Sequence, residues 1–371
     1  MIHPSTPERT APVAPSPDRP SLSLELFPPR PGPHASQTWG ALDRLLATGP
    51  DFASVTYRPT FITTVGGAPR AEAPTRPADA DESARAVTRV HVKREHNPSE
   101  DVVAHVLATS DVPLMAHLTC IGYRKANVVE IVRIFLDMGV RRFLALRGDP
   151  PRGVDADDVV GELRHADELV AVIREVEAEY FGDGERHVHV AVAAYPAAID
   201  HGREVEVLAA KQAAGADSAI TQVFYDAEDY LALSRAARYS GVALPILPGI
   251  IPLTDLRRLT RLEALSGVPV PEQLRDALEA AHGAGTVSTG IDATLRLATA
   301  VLEGGAPGVH LYTFNRTRPA LDVISQLRLG RILDGAAPDT RTQSEVRRAY
   351  LNATPGSSPL RNGRMPVATR A

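Results

Sequence analysis

The sequence predicts an α/β protein: a (β/α)8 TIM barrel in a single domain, with disordered N- and C-terminal tails. Three observations predict it. Eight short apolar runs read as strands, at 22–26, 52–57, 114–118, 143–146, 188–193, 218–222, 244–247 and 308–312. Amphipathic segments of helical period separate most of them, which argues for parallel strands joined by crossovers. Hydrogen-bonding residues fall at the C-terminal end of nearly every run, and in a barrel those ends form one rim, where active sites sit.

The first run, "SLSLELFPPR", alternates Leu22, Leu24 and Leu26 with Ser23, Glu25 and Phe27. Period-2 alternation gives a strand two different faces. The leucine face calls for a helical layer. The other face carries the Glu25 carboxyl in mid-strand, toward the barrel interior. Between strands three and four, "NVVEIVRIFLDMGV" has apolar residues at helical spacing and a glycine near its end. "DATLRLATAVLEGG" repeats that design before the last strand. An open doubly wound sheet is the other arrangement. Its glycine fingerprint would have to join a strand to a helix, and neither "FGDGE" nor "GAGTVSTG" does so.

Residues 21–334 form the predicted barrel domain. Residues 1–20 hold six prolines and few large apolar side chains, and read as a disordered tail. Residues 335–371 read as a second polar tail, with room for one short helix near 343–351 and none for a further domain. Residues 58–100 contain "TTVGGAPRAEAPTRPADADE" and read as a long loop, which in compact domains is mobile or functional.

Composition excludes several classes. Of the 371 residues 44% are hydrophobic and 23% charged, an ordinary globular balance, and the formal net charge of -5 is not that of a nucleic-acid surface. No apolar run is long enough for a transmembrane helix, and the N-terminus lacks a secretory h-region. The single cysteine, Cys120, allows no intramolecular disulfide and fits a cytoplasmic setting. No His/Cys/Asp/Glu spacing suits a metal site, and no nucleophile elbow or phosphate-binding loop occurs.

The strand ends supply Glu25 and Phe27; Thr56, Tyr57 and Arg58; His117, Thr119 and Cys120; Arg147, Gly148 and Asp149; Tyr195; Thr221 and Gln222; Pro248 and Gly249; and Tyr312, Thr313, Asn315 and Arg316. Singly, each has an ordinary explanation. His117 could be a satisfied core histidine, Arg147 and Asp149 a loop ion pair, Tyr195 a packing aromatic and Cys120 a small buried hydrophobe. Such explanations weaken when eight strand ends need one each.

The stretches "LELFPPR", "SVTYRP", "AHLTCI", "ALRGDPP", "VAAYP", "AAGADSAITQVFYD", "PILPGIIP" and "LYTFNR" run in one order from Ser21 to Arg316. Together they resemble the methylenetetrahydrofolate reductase family. The resemblance implies a (β/α)8 barrel that reduces 5,10-methylenetetrahydrofolate, a small-molecule substrate, to 5-methyltetrahydrofolate. NADH or NADPH would be the hydride donor and FAD the carrier. It implies Glu25 as catalytic acid, with Asp149 beside flavin and folate. Substrate contacts carry over to Glu25, Asp149, Gln222 and Arg316. Flavin contacts carry over to Thr56, Tyr57, His117, Arg147, Gly148, Asp149, Ala166, Tyr195 and Lys211. An acid that still holds its proton near neutral pH is what opening the methylene bridge requires, and a partly desolvated carboxyl would have a raised pKa.

The sequence departs from the family pattern in places. Arg58 and Pro59 follow "VTY" where small residues are usual. No clear equivalent exists for the histidine that contacts flavin after "AAYP". Glu204, Val207 and Ala210 replace expected Asp, Asn and Arg, and Arg258 and Leu262 replace Gln and Phe. Acid and substrate positions are kept better than the positions gripping flavin. A flavin-independent enzyme that moves hydride directly from NAD(P)H to folate therefore stands as the alternative. A non-catalytic pterin or flavin binder would have little reason to keep Glu25. A pterin methyltransferase would need a zinc or cobalamin site, for which no thiolate cluster exists. Homo-oligomerisation is left open.

Overall fold

A computed structural model describes residues 19–334, apart from 30–31, 33–34, 58, 67–86, 94–95, 152, 155–157, 253 and 282–283. Most of both tails, Arg58 and the middle of the 58–100 segment therefore lie outside the described residues. The barrel strands are β1 (Ser21–Leu26), β2 (Phe52–Val55), β5 (Leu114–Thr119), β6 (Arg142–Leu146), β7 (His189–Ala194), β8 (Ser218–Thr221), β9 (Ile246–Leu247), β10 (Gly249–Ile250) and β11 (Gly308–Tyr312). They pair in parallel in the order β10-β11-β1-β2-β5-β6-β7-β8-β9. The two ends of that order, β9 and β10, are halves of one strand on either side of Pro248. Proline has no N–H to give a ladder, so the strand breaks there. The Pro248 carbonyl still accepts from His310 N at 2.9 Å. The result is a nearly closed barrel.

Helices α1 (Ala35–Leu46), α2 (Pro98–Thr109), α3 (Lys125–Asp137), α4 (Ala166–Phe181), α5 (His201–Ala213) and α6 (Ala227–Tyr239) connect successive strands up to β9. Three helices, α7 (Leu256–Ser266), α8 (Glu272–Ala280) and α9 (Ala284–Glu303), fill the last crossover, and α10 (Thr317–Leu329) follows β11. Asn97, Asp200, Asp226 and Asp255 cap α2, α5, α6 and α7 by accepting amide N–H groups that the first turn leaves without partners.

Residues 58–100 are not all loop. An antiparallel hairpin, β3 (Thr60–Gly66) with β4 (Val87–Lys93), forms a separate two-stranded sheet, and α2 starts at Pro98. The β-branched runs "TFITTV" and "VTRVHV" suit strands. The Gly, Pro and Ala between them obscured that signal.

Two apolar layers hold the barrel. Outside, Leu22, Leu24 and Leu26 pack into one cluster with Leu42 and Leu45 of α1 and Leu311 of β11. Inside, Phe52, Met115, Leu144, Ala191, Ile220 and Leu247 form a second, smaller cluster. Several polar side chains in the barrel wall pair with one another. His310, fully buried, meets Ser23 Oγ at 2.8 Å and Ser54 Oγ at 3.4 Å, and His189 Nε2 meets Ser218 Oγ at 2.8 Å. At the opposite end from the C-terminal rim, the buried Glu177 carboxylate accepts from His187 N, Val188 N and Arg174 Nη1, each at 2.6 Å. A buried charge with this many donors is compensated, so this end is built for stability.

Candidate active site

Strand alternation puts Glu25, His117 and Tyr312 on the inner face, near the C-terminal ends of β1, β5 and β11. The Glu25 side chain is 7% exposed as a residue, and its Oε1 accepts from Thr56 Oγ1 at 3.3 Å. His117 Nδ1 stands 3.9 Å from the same oxygen. Burial drives the His117 pKa down to about 3, so this neighbour is a neutral imidazole. Its Nε2 is buried without a hydrogen-bond partner, as is Thr119 Oγ1 two residues on. Tyr312 pairs in register with Glu25 and donates from its hydroxyl to the Thr221 carbonyl at 2.5 Å. Burial, and secondarily the charge of Glu25, raise the Tyr312 pKa well above that of a free phenol.

The segment after β11 fastens this acid in place. Thr313 Oγ1 donates to the Glu25 carbonyl at 2.6 Å. Asn315 bonds both backbone groups of Phe27, accepting from its N–H at 2.9 Å and donating to its carbonyl at 2.7 Å. The Phe27 and Phe314 rings stack at 5.1 Å, with planes 11° apart. This geometry holds Phe314 and Asn315 at φ of 48° and 57°, a left-handed conformation that costs free energy in residues other than glycine. Gly249 makes room for the arrangement: a Cβ there would lie 2.3 Å from the Thr221 carbonyl and 2.5 Å from the Tyr312 ring.

The predicted residues fall into three groups. Glu25, Thr56 and His117 meet at one point. Arg147, Gly148 and Asp149 form the turn after β6, with Arg147 and Asp149 exposed and Gly148 at φ 84°. A Cβ on Gly148 would lie 2.8 Å from Ile121 and 2.9 Å from Thr119, so the turn lies tightly against the end of β5. Ala166 begins α4, Tyr195 presents a 45% exposed side of the rim beyond β7, and Arg316 is the exposed N-cap of α10. Gln222 follows β8 and turns its Oε1 to its neighbour's N–H, Val223 N, at 2.9 Å, which leaves the amide NH2 to donate elsewhere.

Two predicted contacts are engaged in the protein. The Tyr57 ring is 5% exposed and points into the layer between sheet and helices, edge-on to Phe135 at 6.2 Å. Lys211 is 6% exposed; its Nζ donates to the Ala193 carbonyl at 2.7 Å and lies 5.8 Å from the Tyr195 ring. Burial lowers its pKa. It supports the Tyr195 turn from below. Glu204, from the same helix, accepts from Tyr195 N at 3.1 Å.

The sequence reading did not assign site roles to Tyr312, Thr313 or Asn315, although "LYTFNR" contains all three. Alternation along β11 was the available signal, since it places Tyr312 on the face of His310. Among the described residues, no group of three or more His, Cys, Asp or Glu is placed to hold a metal, and no helix is long and apolar enough to cross a membrane.

Comparison with known proteins agrees with the order of these motifs. The methylenetetrahydrofolate reductase family matches residues 13–328. A probable methylenetetrahydrofolate reductase (NADPH) of Caenorhabditis elegans is 32% identical over 63% of this chain and 35% of its own. Methylenetetrahydrofolate reductase (NADH) 1 of Arabidopsis thaliana is 27% identical over 93% of this chain and 57% of its own. The chain thus spans between a third and three-fifths of these two relatives. A 5,10-methylenetetrahydrofolate reductase of Pectobacterium carotovorum is 27% identical over 80% of this chain and 86% of its own. With the match running from ahead of β1 into α10, through every element that builds the rim, the chain belongs to the methylenetetrahydrofolate reductase family.

Proposed function

We propose that the protein reduces 5,10-methylenetetrahydrofolate to 5-methyltetrahydrofolate with NAD(P)H, using FAD as carrier and Glu25 as general acid. The observation that supports this reading most is the placement of Glu25. It is a buried carboxyl on an inward strand position at the mouth, positioned by Thr56 and faced by a neutral histidine. Burial penalises a carboxylate, and a neutral neighbour does not offset that penalty as a cation would. A carboxyl so placed is suited to deliver a proton to the anilinic nitrogen of the folate. Protonation opens the cyclic methylene bridge to an iminium, a far better hydride acceptor. Gln222 would orient the pterin through its free amide donors, and Arg316 would meet the carboxylate end.

The residues present fit a flavin. His117 Nε2 and Thr119 Oγ1 are buried groups that lack a partner. Leaving such groups unpaired is costly, so a ligand hydrogen bond there is favoured. Arg147 and the turn at Gly148 would flank the ring, the face of Tyr195 would lie beside it, and the first turn of α4 at Ala166 would take an anionic part. When bound, FAD would accept hydride from NAD(P)H and return it to the folate.

The test combines a substitution with a spectrum. Glu25→Gln should keep the fold and any yellow colour of the purified protein, and lower folate reduction by at least about a hundredfold. Normal turnover by this variant removes Glu25 from its role. A colourless native protein that reduces the folate with NAD(P)H alone selects direct hydride transfer, the reading favoured by Lys211 being occupied within the protein.

A further inference from the structure

The barrel wall is interrupted between β8 and β11. The ladder from β8 to β9 stops at the pair Ile220 and Leu247, Pro248 breaks the strand, and β10 resumes by pairing on its other side, with β11. Thr221, the first β8 residue past that ladder, is held by other means. Its hydroxyl accepts from Gly249 N at 2.8 Å, and its carbonyl accepts from the Tyr312 hydroxyl at 2.5 Å. Tyr312 therefore reaches past the broken strand to β8. The ring that does so is closely confined. A Cβ on Gly249 would stand 2.5 Å from the ring and 2.7 Å from its hydroxyl, and the His310 ring meets it edge-on at 5.3 Å. Burial holds the Tyr312 pKa well above that of a free phenol, so the hydroxyl keeps the proton it donates.

The carbonyl that Tyr312 holds belongs to the peptide that carries Gln222. The N–H of that same peptide, Gln222 N, donates to the Ala194 carbonyl at 2.7 Å. One peptide is thus fixed at both of its polar atoms, by β7 and by Tyr312. Because a peptide is planar, fixing both atoms sets its tilt, and with it the direction in which the Gln222 side chain leaves the backbone. A water could satisfy the Thr221 carbonyl, but it would not tie that carbonyl to the strand beside the acid. Tyr312 does so, because it pairs in register with Glu25. We propose that Tyr312 is a positioning residue for the folate: its hydroxyl aims the Gln222 amide at the pterin, and its backbone keeps that amide in register with Glu25. The inference rests on the folate reading above, in which Gln222 orients the pterin and Glu25 supplies the proton. A substrate gripped at the pterin presents its reacting nitrogen to the acid only when grip and acid keep a fixed separation, and Tyr312 spans the two.

The test is a double-substitution cycle on kcat/KM for 5,10-methylenetetrahydrofolate, using the native chain, Tyr312→Phe, Gln222→Ala and the Tyr312→Phe/Gln222→Ala pair. Thermal melting of each chain reports on folding. Tyr312→Phe removes one hydroxyl and should lower kcat/KM about tenfold, within the roughly hundredfold that a misplaced substrate can cost. A hydroxyl that acts through Gln222 has nothing left to aim once the amide is gone. Adding Tyr312→Phe to Gln222→Ala should therefore cost less than about twofold more, since coupled residues do not add. The alkaline limb of the pH profile, which belongs to an acid that must hold its proton, should stay in place in Tyr312→Phe. A native kcat/KM in Tyr312→Phe overturns the positioning role, and so do losses that multiply in the double variant; both leave the folate reading intact. A displaced alkaline limb also overturns it and ties Tyr312 to the proton affinity of Glu25. A Tyr312→Phe chain that does not fold overturns it as well, because the hydroxyl then serves to close the barrel. A native rate in Gln222→Ala removes Gln222 from the pterin, and failure of the native chain to turn over the folate removes the underlying reading; in either case the positioning role falls with it.

Discussion

Thr313 Oγ1 donates a 2.6 Å hydrogen bond to the carbonyl of Glu25. The residue after the final barrel strand therefore fixes the backbone of the first strand at Glu25. Asn315 extends the junction to Phe27 with two more bonds. Glu25 is thus held at its backbone by bonds from another segment, while its carboxyl accepts from Thr56 Oγ1.

Asn315→Ala should lower the free energy of unfolding by about 2–3 kcal/mol. It removes two bonds to part-buried backbone groups of Phe27 and puts a residue without a local side-chain acceptor at φ 57°. Urea denaturation reads this directly. A midpoint equal to that of the native protein would show that the Thr313 bond and the Phe27–Phe314 stack suffice.

Gly249→Ala should be more damaging than its size suggests. The added methyl would collide with the Thr221 carbonyl and the Tyr312 ring. The expected cost is about 3 kcal/mol or more, since backbone and a buried ring cannot both move aside. Activity should fall with it, because Tyr312 lies beside Glu25 in register. A variant that melts like the native protein and keeps its activity would show that β10 can shift outward at Pro248.

Stability should decline as pH falls below about 6.5. Burial lowers the pKa of His117 and of His310 to about 3 each. In the unfolded chain both titrate near 6.5, so between about 6.5 and 3 the unfolded state binds more protons than the folded one. Stability from these groups is complete above the unfolded pKa and is lost on acidification, by at most about 1.4 kcal/mol per pH unit for each histidine. Urea midpoints between pH 7.5 and 5 should show this slope. His310→Asn should make it shallower. An identical slope in that variant would assign the acid sensitivity to other groups.

Cys120 should resist thiol reagents until the protein unfolds. It is fully buried, its Sγ donates toward the carbonyls of Arg147 at 3.6 Å and His165 at 3.5 Å, and burial pushes its pKa up to about 12. The reactive thiolate is thus scarce and shielded. Disulfide-exchange titration should find almost no free thiol in the native protein and one per chain in denaturant. Rapid labelling of the native protein would mean that the turn at Gly148 opens readily.

The barrel was legible because each strand carries its own signature. Leu22, Leu24 and Leu26 announce an outward face, and the residues between them an inward one. Strand lengths were less so. The run at 52–57 stops pairing at Val55, and the run at 244–247 starts at Ile246 and resumes after Pro248, because pairing depends on neighbouring strands that a single segment does not reveal. Glu25 was legible as a charge where alternation demanded an inward residue. The fates of Tyr57 and Lys211 were not. The Tyr57 ring follows the chain outward once the strand has ended, and the partner of Lys211 is a carbonyl 18 residues away. The Thr313–Glu25 bond joins residues 288 apart, beyond the reach of any local pattern.

That separation bears on when the protein becomes competent. Loop closure over nearly the whole chain is among the slowest contacts a domain can make, because its entropy cost precedes its reward. During synthesis the N-terminal strand emerges first, with its acid, and waits without its parallel partner on that side until β11 has been made. Chains released before Gly308 would lack both the edge that pairs with β1 and the threonine that fixes Glu25. The backbone at Glu25 therefore gains its Thr313 bond and its β11 pairing only once the last part of the barrel has been made.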